Sequence, residues 1–245
     1  MKMIKFLAVV LTISILILAG CAINLGSQTV RGSGNLAKEE RSLSGIQRVG
    51  LATLGDLTIS LGDQEKLIIE AEANLLPYLT SLVREGKLEI ASEPGTNLQP
   101  TQPIRFHLIV KDLDGLETTS SGNISAPELR ANQFTITSSS SGDIDLAGLF
   151  ADILDVEMSS LGDVTINAGE IPEQDIEIDS SGNYNAQNVL SQRATVRLNS
   201  NGNATVRVSD SMQADLTSNG NLNYYGNPRL DIDSSSSGRA IKAGD

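Results

Sequence analysis

Three acidic residues have a spacing that could do chemistry. Asp143 and Asp163 lie 20 positions apart, and Asp145 stands two positions beyond the first. If 20 residues make one turn of a stacked structure, Asp143 and Asp163 fall on neighbouring rungs about 5 Å apart. Retaining glycosidases hold two carboxyls at about 5 to 5.5 Å, one as acid/base and one as nucleophile. Stacked acids on an outer face could also contact a cation weakly or accept hydroxyls from a glycan. Asn123, Asn183, Asn203 and Asn221 occupy the same place in their own segments, which suits turn geometry better than catalysis. No His or basic residue stands nearby in this frame to tune either carboxyl. The turn reading is preferred, with weak cation or glycan contact second and catalysis last.

Other chemistry is sparse. The single His, His107, sits in Ile104-Arg105-Phe106-His107-Leu108-Ile109-Val110. Period two puts it opposite Phe106 and Leu108, a solvent-facing or cross-strand place rather than a catalytic one. The sequence has no Cys/His metal cluster, no Gly-x-Ser-x-Gly and no phosphate-cradling loop; Gly32-Ser33-Gly34 lacks the Lys and the helix that such a loop needs. Long segments with one Gly each do not reproduce the short, paired-glycine repeat of calcium-binding β-rolls. No catalytic residue, metal site or cofactor is expected.

Cys21 carries a different chemistry. Lys2 and Lys5 precede an apolar run over residues 6–18, which is short for a membrane span and right for an export signal. Leu18-Ala19-Gly20-Cys21 then has the pattern of a bacterial lipoprotein signal, cut before the Cys that receives the lipid. Cys21 is the only Cys in 245 residues, so its acylation leaves no thiol for a disulfide, a metal or a nucleophile. Buried acyl methylenes contribute about 0.8 kcal/mol each, so two or three chains anchor firmly. Ala22 in place of Asp favours the outer membrane if the cell is Gram-negative. Removing residues 1–20 takes two lysines with it, which moves the formal charge from −12 to −14. An acidic chain with four Phe, four Tyr and no Trp argues against nucleic acid, which calls for basic patches and stacking platforms.

The element that must position these residues is a repeat. Gly122, Gly142, Gly162, Gly182, Gly202, Gly220 and Gly238 each stand two places after a Ser, and Asn or Asp follows all but the last. The glycines step by 20, 20, 20, 20, 18 and 18 residues. Between them the pattern has period two, a strand signal. Ile124, Ile144, Val164, Tyr184, Ala204 and Leu222 form one apolar column, and Ile136, Val156, Ile176, Val196, Ala214 and Ile232 another. Each repeat reads as two short strands meeting at a Ser-x-Gly corner, where Gly permits positive φ or close backbone approach. The Ser column reads as an inward hydroxyl ladder. A single repeat cannot bury its apolar face, so the repeats stack. Seven coils at about 4.8 Å make a rod roughly 30 Å long.

The frame recurs around Gly55, with Val49, Leu51 and Thr53 before it and Leu57 and Ile59 after it. Strand-like stretches follow at 67–73, 87–91 and 104–111. Leu75, Leu76, Leu79, Leu82 and Val83 fall at helical spacing, which predicts a short helix over 74–83 with Asn74 as N-cap and Pro77 in its first turn. Such a helix could cap the rod. The expected fold is all-β: a right-handed, single-stranded parallel β-solenoid of ~20-residue coils with a short helix in its N-terminal part. The expected organisation is a signal at 1–20, a tether at 21–28, a β-rich part at 29–115 and the repetitive solenoid at 116–245, continuous with it.

Several of these stretches together resemble a known family, the putative auto-transporter adhesin, head GIN domain proteins of bacterial envelopes. They are Val30-Arg31-Gly32-Ser33-Gly34-Asn35, Gly55-Asp56-Leu57-Thr58-Ile59, Leu67-Ile68-Ile69-Glu70-Ala71-Glu72-Ala73-Asn74, Gly86-Lys87-Leu88-Glu89-Ile90 and the Ser-Ser-Gly-[Asn/Asp] coils, within residues 30–225. The resemblance implies a β-solenoid, an envelope location and a suspected adhesive role, and it carries over no catalytic residue. The leading expectation is a lipid-anchored envelope module that contacts the membrane through its anchor and a glycan or an envelope or host protein through its outer columns. A periplasmic structural or assembly lipoprotein is the rival, and a polysaccharide-active enzyme using Asp143, Asp145 and Asp163 the third.

Overall fold

The computed structural model describes residues 28–245; the signal, Cys21 and the tether up to residue 27 lie outside them. Four coils start two residues after their corner Gly and end four before the next, as the single strands Ile124–Ser138, Ile144–Met158, Tyr184–Leu198 and Ala204–Leu216. The coil after Gly162 breaks into Val164–Ile166, Gly169–Glu170 and Glu173–Ile178, and the coil after Gly220 into Leu222–Tyr225 and Arg229–Ser234. Neighbouring coils pair parallel in the register of the repeat, Ile124 beside Ile144 and Ile136 beside Val156. The stack is right-handed with about six coils, the number of intervals between seven corners. Two short strands per repeat were expected; the coil after Gly220 has them, whereas in four coils one strand runs on through the bend without leaving its ladder. The alternation shifts phase at each bend. After Leu146 the inward positions are Leu149 and Ala151, with Phe150 between them on the outer side, and after Asp152 and Ile153, both exposed, they resume at Leu154. Within that coil Ile144, Leu146, Leu149, Leu154, Val156 and Met158 are buried. Full burial of each such side chain is worth roughly 1.5–3 kcal/mol, which is what the stacking gains.

One inner cluster departs from the apolar rule away from the corner. Tyr184 occupies the column of Ile144 and Val164 and is fully buried. Its hydroxyl donates to Gln174 Oε1 at 2.6 Å, and the Gln174 amide donates to Ser191 Oγ, so three buried polar groups satisfy one another. Burial pushes the Tyr184 phenol up from its ordinary range.

The N-terminal part corrects the expected fold class. The predicted helix over 74–83 is absent: a single 3-10 turn at Leu76–Tyr78 leads straight into strand Leu79–Arg84. That strand pairs antiparallel with Lys87–Ser92 across a turn in which Glu85 and Gly86 both have positive φ, 49° and 79°. This is the two-residue hairpin geometry that matches strand twist. The helical spacing was accidental. Leu75, Leu76 and Leu79 are buried around the turn, whereas Leu82 is 48% exposed and Val83 only partly buried. A lone ten-residue helix is marginal, and strand pairing satisfies the same backbone groups. Asn74 caps no helix; its side chain accepts from Ser33 N–H and donates to the Arg31 carbonyl.

The single-stranded parallel expectation also fails here. Arg48–Ala52 and Asp56–Leu61 form the first coil, pairing with Gly115–Thr118 and with the start of Ile124–Ser138. Their other edges carry Lys87–Ser92 and Arg105–Val110. Antiparallel strands Lys66–Glu72 and Leu36–Ser42 then widen one face. The capping role given to the helix thus belongs to strands, which close the apolar interior and leave charged Lys38, Glu39, Glu40 and Arg41 on the edge strand, a protection against edge pairing.

Glu72 ties this cap together. It is fully buried and accepts from the Gly34 N–H, from the Thr101 N–H at 2.8 Å and hydroxyl at 2.6 Å, and from the Gln102 N–H at 3.3 Å. The Thr101 hydroxyl foremost, with these backbone donors, holds its carboxyl down from the ordinary 4.5 to about 2. A Cβ on Gly32 would fall 1.9 Å from Glu72 Oε2, so the Gly-rich stretch is the lid over this carboxylate.

Candidate functional site

The corner is where the sequence placed the candidate acids. Gly122, Gly142, Gly162, Gly182, Gly202, Gly220 and Gly238 stack directly on one another. A Cβ on any of them would come within 2.0–2.5 Å of the carbonyl oxygen of the glycine below, Gly55 being the lowest. Close approach, not positive φ, demands glycine along this column; only Gly55 has φ of 112°. The next residue outward builds a second ladder. Asp143 N–H donates to Asn123 Oδ1 at 2.9 Å, Asp163 N–H to Asp143 Oδ1 at 2.8 Å, and Asn183 N–H to Asp163 Oδ1 at 2.8 Å. Asn203 and Asn221 continue it. The structure therefore brings Asp143 and Asp163 together on neighbouring rungs and engages one oxygen of each in holding the next coil. Asp145 lies two residues along on the exposed side and accepts from Asn167 Nδ2 at 2.6 Å. The Ser column is not a pure hydroxyl ladder: Ser120 and Ser160 donate to the carbonyls of Thr53 and Ser140.

Elsewhere the outer columns are polar. His107 is a cross-strand residue, with Nε2 2.8 Å from Ser60 Oγ. Another face is acidic: Asp155 stands beside Asp175 and Glu157 beside Glu177, with Arg197 bound to Asp175 at 2.7 Å. Among the described residues no group of three or more His, Cys, Asp or Glu is placed to hold a metal ion.

A third outer column went unnoticed in the sequence. In register it runs Arg130, Phe150, Glu170, Leu190, Arg207 and Tyr225. The Arg130 guanidinium stacks 4.2 Å from the Phe150 ring centre and that of Arg207 4.8 Å from the Tyr225 ring centre. The first four stand eight places after their corner glycines and the last two only five, so counting from Gly hides the column. The cause is a loss of three residues before this position and a gain of one after it, which together shorten the coil from 20 to 18 residues. Between Tyr184–Leu198 and Ala204–Leu216 the register jumps, so residues 187–189 lack partners while Gln192 faces both Ser209 and Asp210. The step leaves a cleft of about 550 Å³ lined by Glu170, Pro172, Leu190, Arg207, Val208 and Asn227 among others. The change of glycine spacing was its signal in the sequence.

The family described as putative auto-transporter adhesin, head GIN domain, matches residues 47–228. The chain belongs to this family. Three solved structures share the head GIN chain's fold. A putative adhesin from Bacteroides fragilis NCTC 9343 superposes with a TM-score of 0.81 at 17% identity, covering 86% of this chain and 99% of that one. A putative adhesin from Parabacteroides merdae ATCC 43184 gives 0.69 at 18% identity, covering 88% and 100%. A putative lipid binding protein from Parabacteroides distasonis ATCC 8503 gives 0.72 at 20% identity, again covering 88% and 100%. No curated protein matches the chain.

Proposed function

We propose that this head GIN protein is an exported lipoprotein, anchored in the outer membrane through Cys21, whose solenoid acts as a binding module for a glycan or a protein. One observation carries the reading: the outer surface is a set of rigid columns held in register by backbone ladders, with polar, acidic and stepped faces side by side. Flat columns of short side chains make modest contacts each, and many copies on one membrane turn these into avidity. Membership of an adhesin-described family supports an envelope site of action. Binding rather than catalysis is the proposed mode, because one oxygen of Asp143 and one of Asp163 hold the following coil. The test uses beads bearing many copies of the protein on arrays of glycans and of matrix and envelope proteins. Saturable capture that rises steeply with copy number supports the reading. Capture that is absent from both arrays, with unchanged adherence of cells lacking the protein, contradicts it.

A further inference from the structure

The cleft at the coil step has a charge order of its own. Glu170, Leu190 and Arg207 are successive rungs of one outer column, so the backbones that carry the acid and the guanidinium stand about 10 Å apart with that of Leu190 between them. Leu190 is 57% exposed, and the half-buried Pro172 adds to the apolar lining beside it. Neither Glu170 nor Arg207 pairs with an oppositely charged side chain among the described residues. Arg207 donates instead to backbone oxygens, Nε to Gln187 at 3.0 Å and Nη1 to Asp245 at 2.8 Å, so an oxygen acceptor already fits against its guanidinium.

We infer that this cleft binds an extended peptide segment that carries a basic group, an aliphatic side chain and a carboxylate in that order. The basic group meets Glu170, the aliphatic side chain covers Leu190 and Pro172, and the carboxylate meets the remaining N–H donors of Arg207. A sugar fits less well. Its apolar face stacks on an open aromatic ring, and here Arg207 occupies a face of Tyr225. The inference rests on the binding-module reading and narrows its ligand to a peptide.

The test is fluorescence anisotropy with the full-length lipoprotein in detergent and a labelled acetyl-Lys-Gly-Leu-Gly-Asp peptide. Saturable binding is expected, at least tenfold weaker for a peptide with Gln and Asn in place of Lys and Asp. Leu190→Ser should weaken it at least fivefold and Glu170→Lys at least tenfold; both positions are exposed, and unchanged thermal melts confirm the fold. Equal binding of the charged and neutral peptides, or binding indifferent to Leu190→Ser and Glu170→Lys, overturns the assignment. An acidic oligosaccharide that binds where the peptide does not overturns it in favour of a glycan. If bead capture on the arrays survives both substitutions, the binding module stands and this inference alone falls.

Discussion

At the Gly162 corner the room for a side chain is set by the Gly142 carbonyl oxygen, which a Cβ would approach to 2.2 Å. Backbone on backbone cannot give way, so Gly162→Ala should cost at least the 1–3 kcal/mol typical of overpacking. Gly148→Ala, whose nearest atoms are 3.4 Å away, is the contrast and should be close to neutral in denaturant unfolding. The neighbouring ladder needs an acceptor oxygen, not a charge. Asp163→Asn keeps the bond to the Asn183 N–H and removes one of two adjacent carboxylates, so stability should hold or rise. Asp163→Ala loses the acceptor for both the Asn183 N–H and its amide and should cost about 1 kcal/mol. Tyr184→Phe strands Gln174 Oε1 in the interior, a loss of about 1–3 kcal/mol in the same assay. The outward placement of Asp143, Asp145 and Asp163 was readable from their spacing, because next to each corner they alternate with the inward Ile144, Leu146 and Val164. That one oxygen of Asp143 and of Asp163 would serve the next coil was not readable, because it depends on the distance between rungs rather than on residue type.

The N-terminal cap answers to acid through Glu72. Its folded pKa lies below the ordinary value, so it favours the folded state above about 4.5 and loses that contribution as pH falls toward about 2. Limited proteolysis should therefore show loosening of the 32–34 and 101–102 segments across that window, and Glu72→Gln should remove this pH dependence while loosening them at neutral pH. No change in the Glu72→Gln digestion pattern would contradict the role given to this carboxylate. The cap is also where sequence reading failed. In the coils, seven copies of one pattern correct each other, and one register explains the two inner columns that flank each corner. Residues 74–83 occur once, and five leucine and valine positions satisfied a helical spacing that a 3-10 turn followed by a hairpin strand also satisfies. Gly86 was the local signal for the hairpin; that Glu85 also takes positive φ shows only in the structure. The stepped cleft is hidden for the opposite reason: the repeat frame changes where residues 187–189 lose their partners and one residue is added opposite Gln192, a net loss of two.

At the scale of the molecule, the first coil is closed by paired strands and the last coil is open. Arg229–Ser234 is exposed along its whole length, and Leu230, Ile232 and Ile241 show at that end. The cap joins the N-terminal strands, the side from which the chain leads back to Cys21, so anchoring there would turn the repetitive columns and the stepped cleft away from the lipid. We propose that these faces meet partners outside the cell. Protease treatment of intact cells, followed by immunoblot with lysed cells and a Cys21→Ser variant alongside, tests it most directly. The account predicts digestion of the anchored protein on intact cells and release of the Cys21→Ser protein from the membrane fraction. Full protection until lysis would contradict it and place the solenoid in the periplasm, in a structural or assembly role.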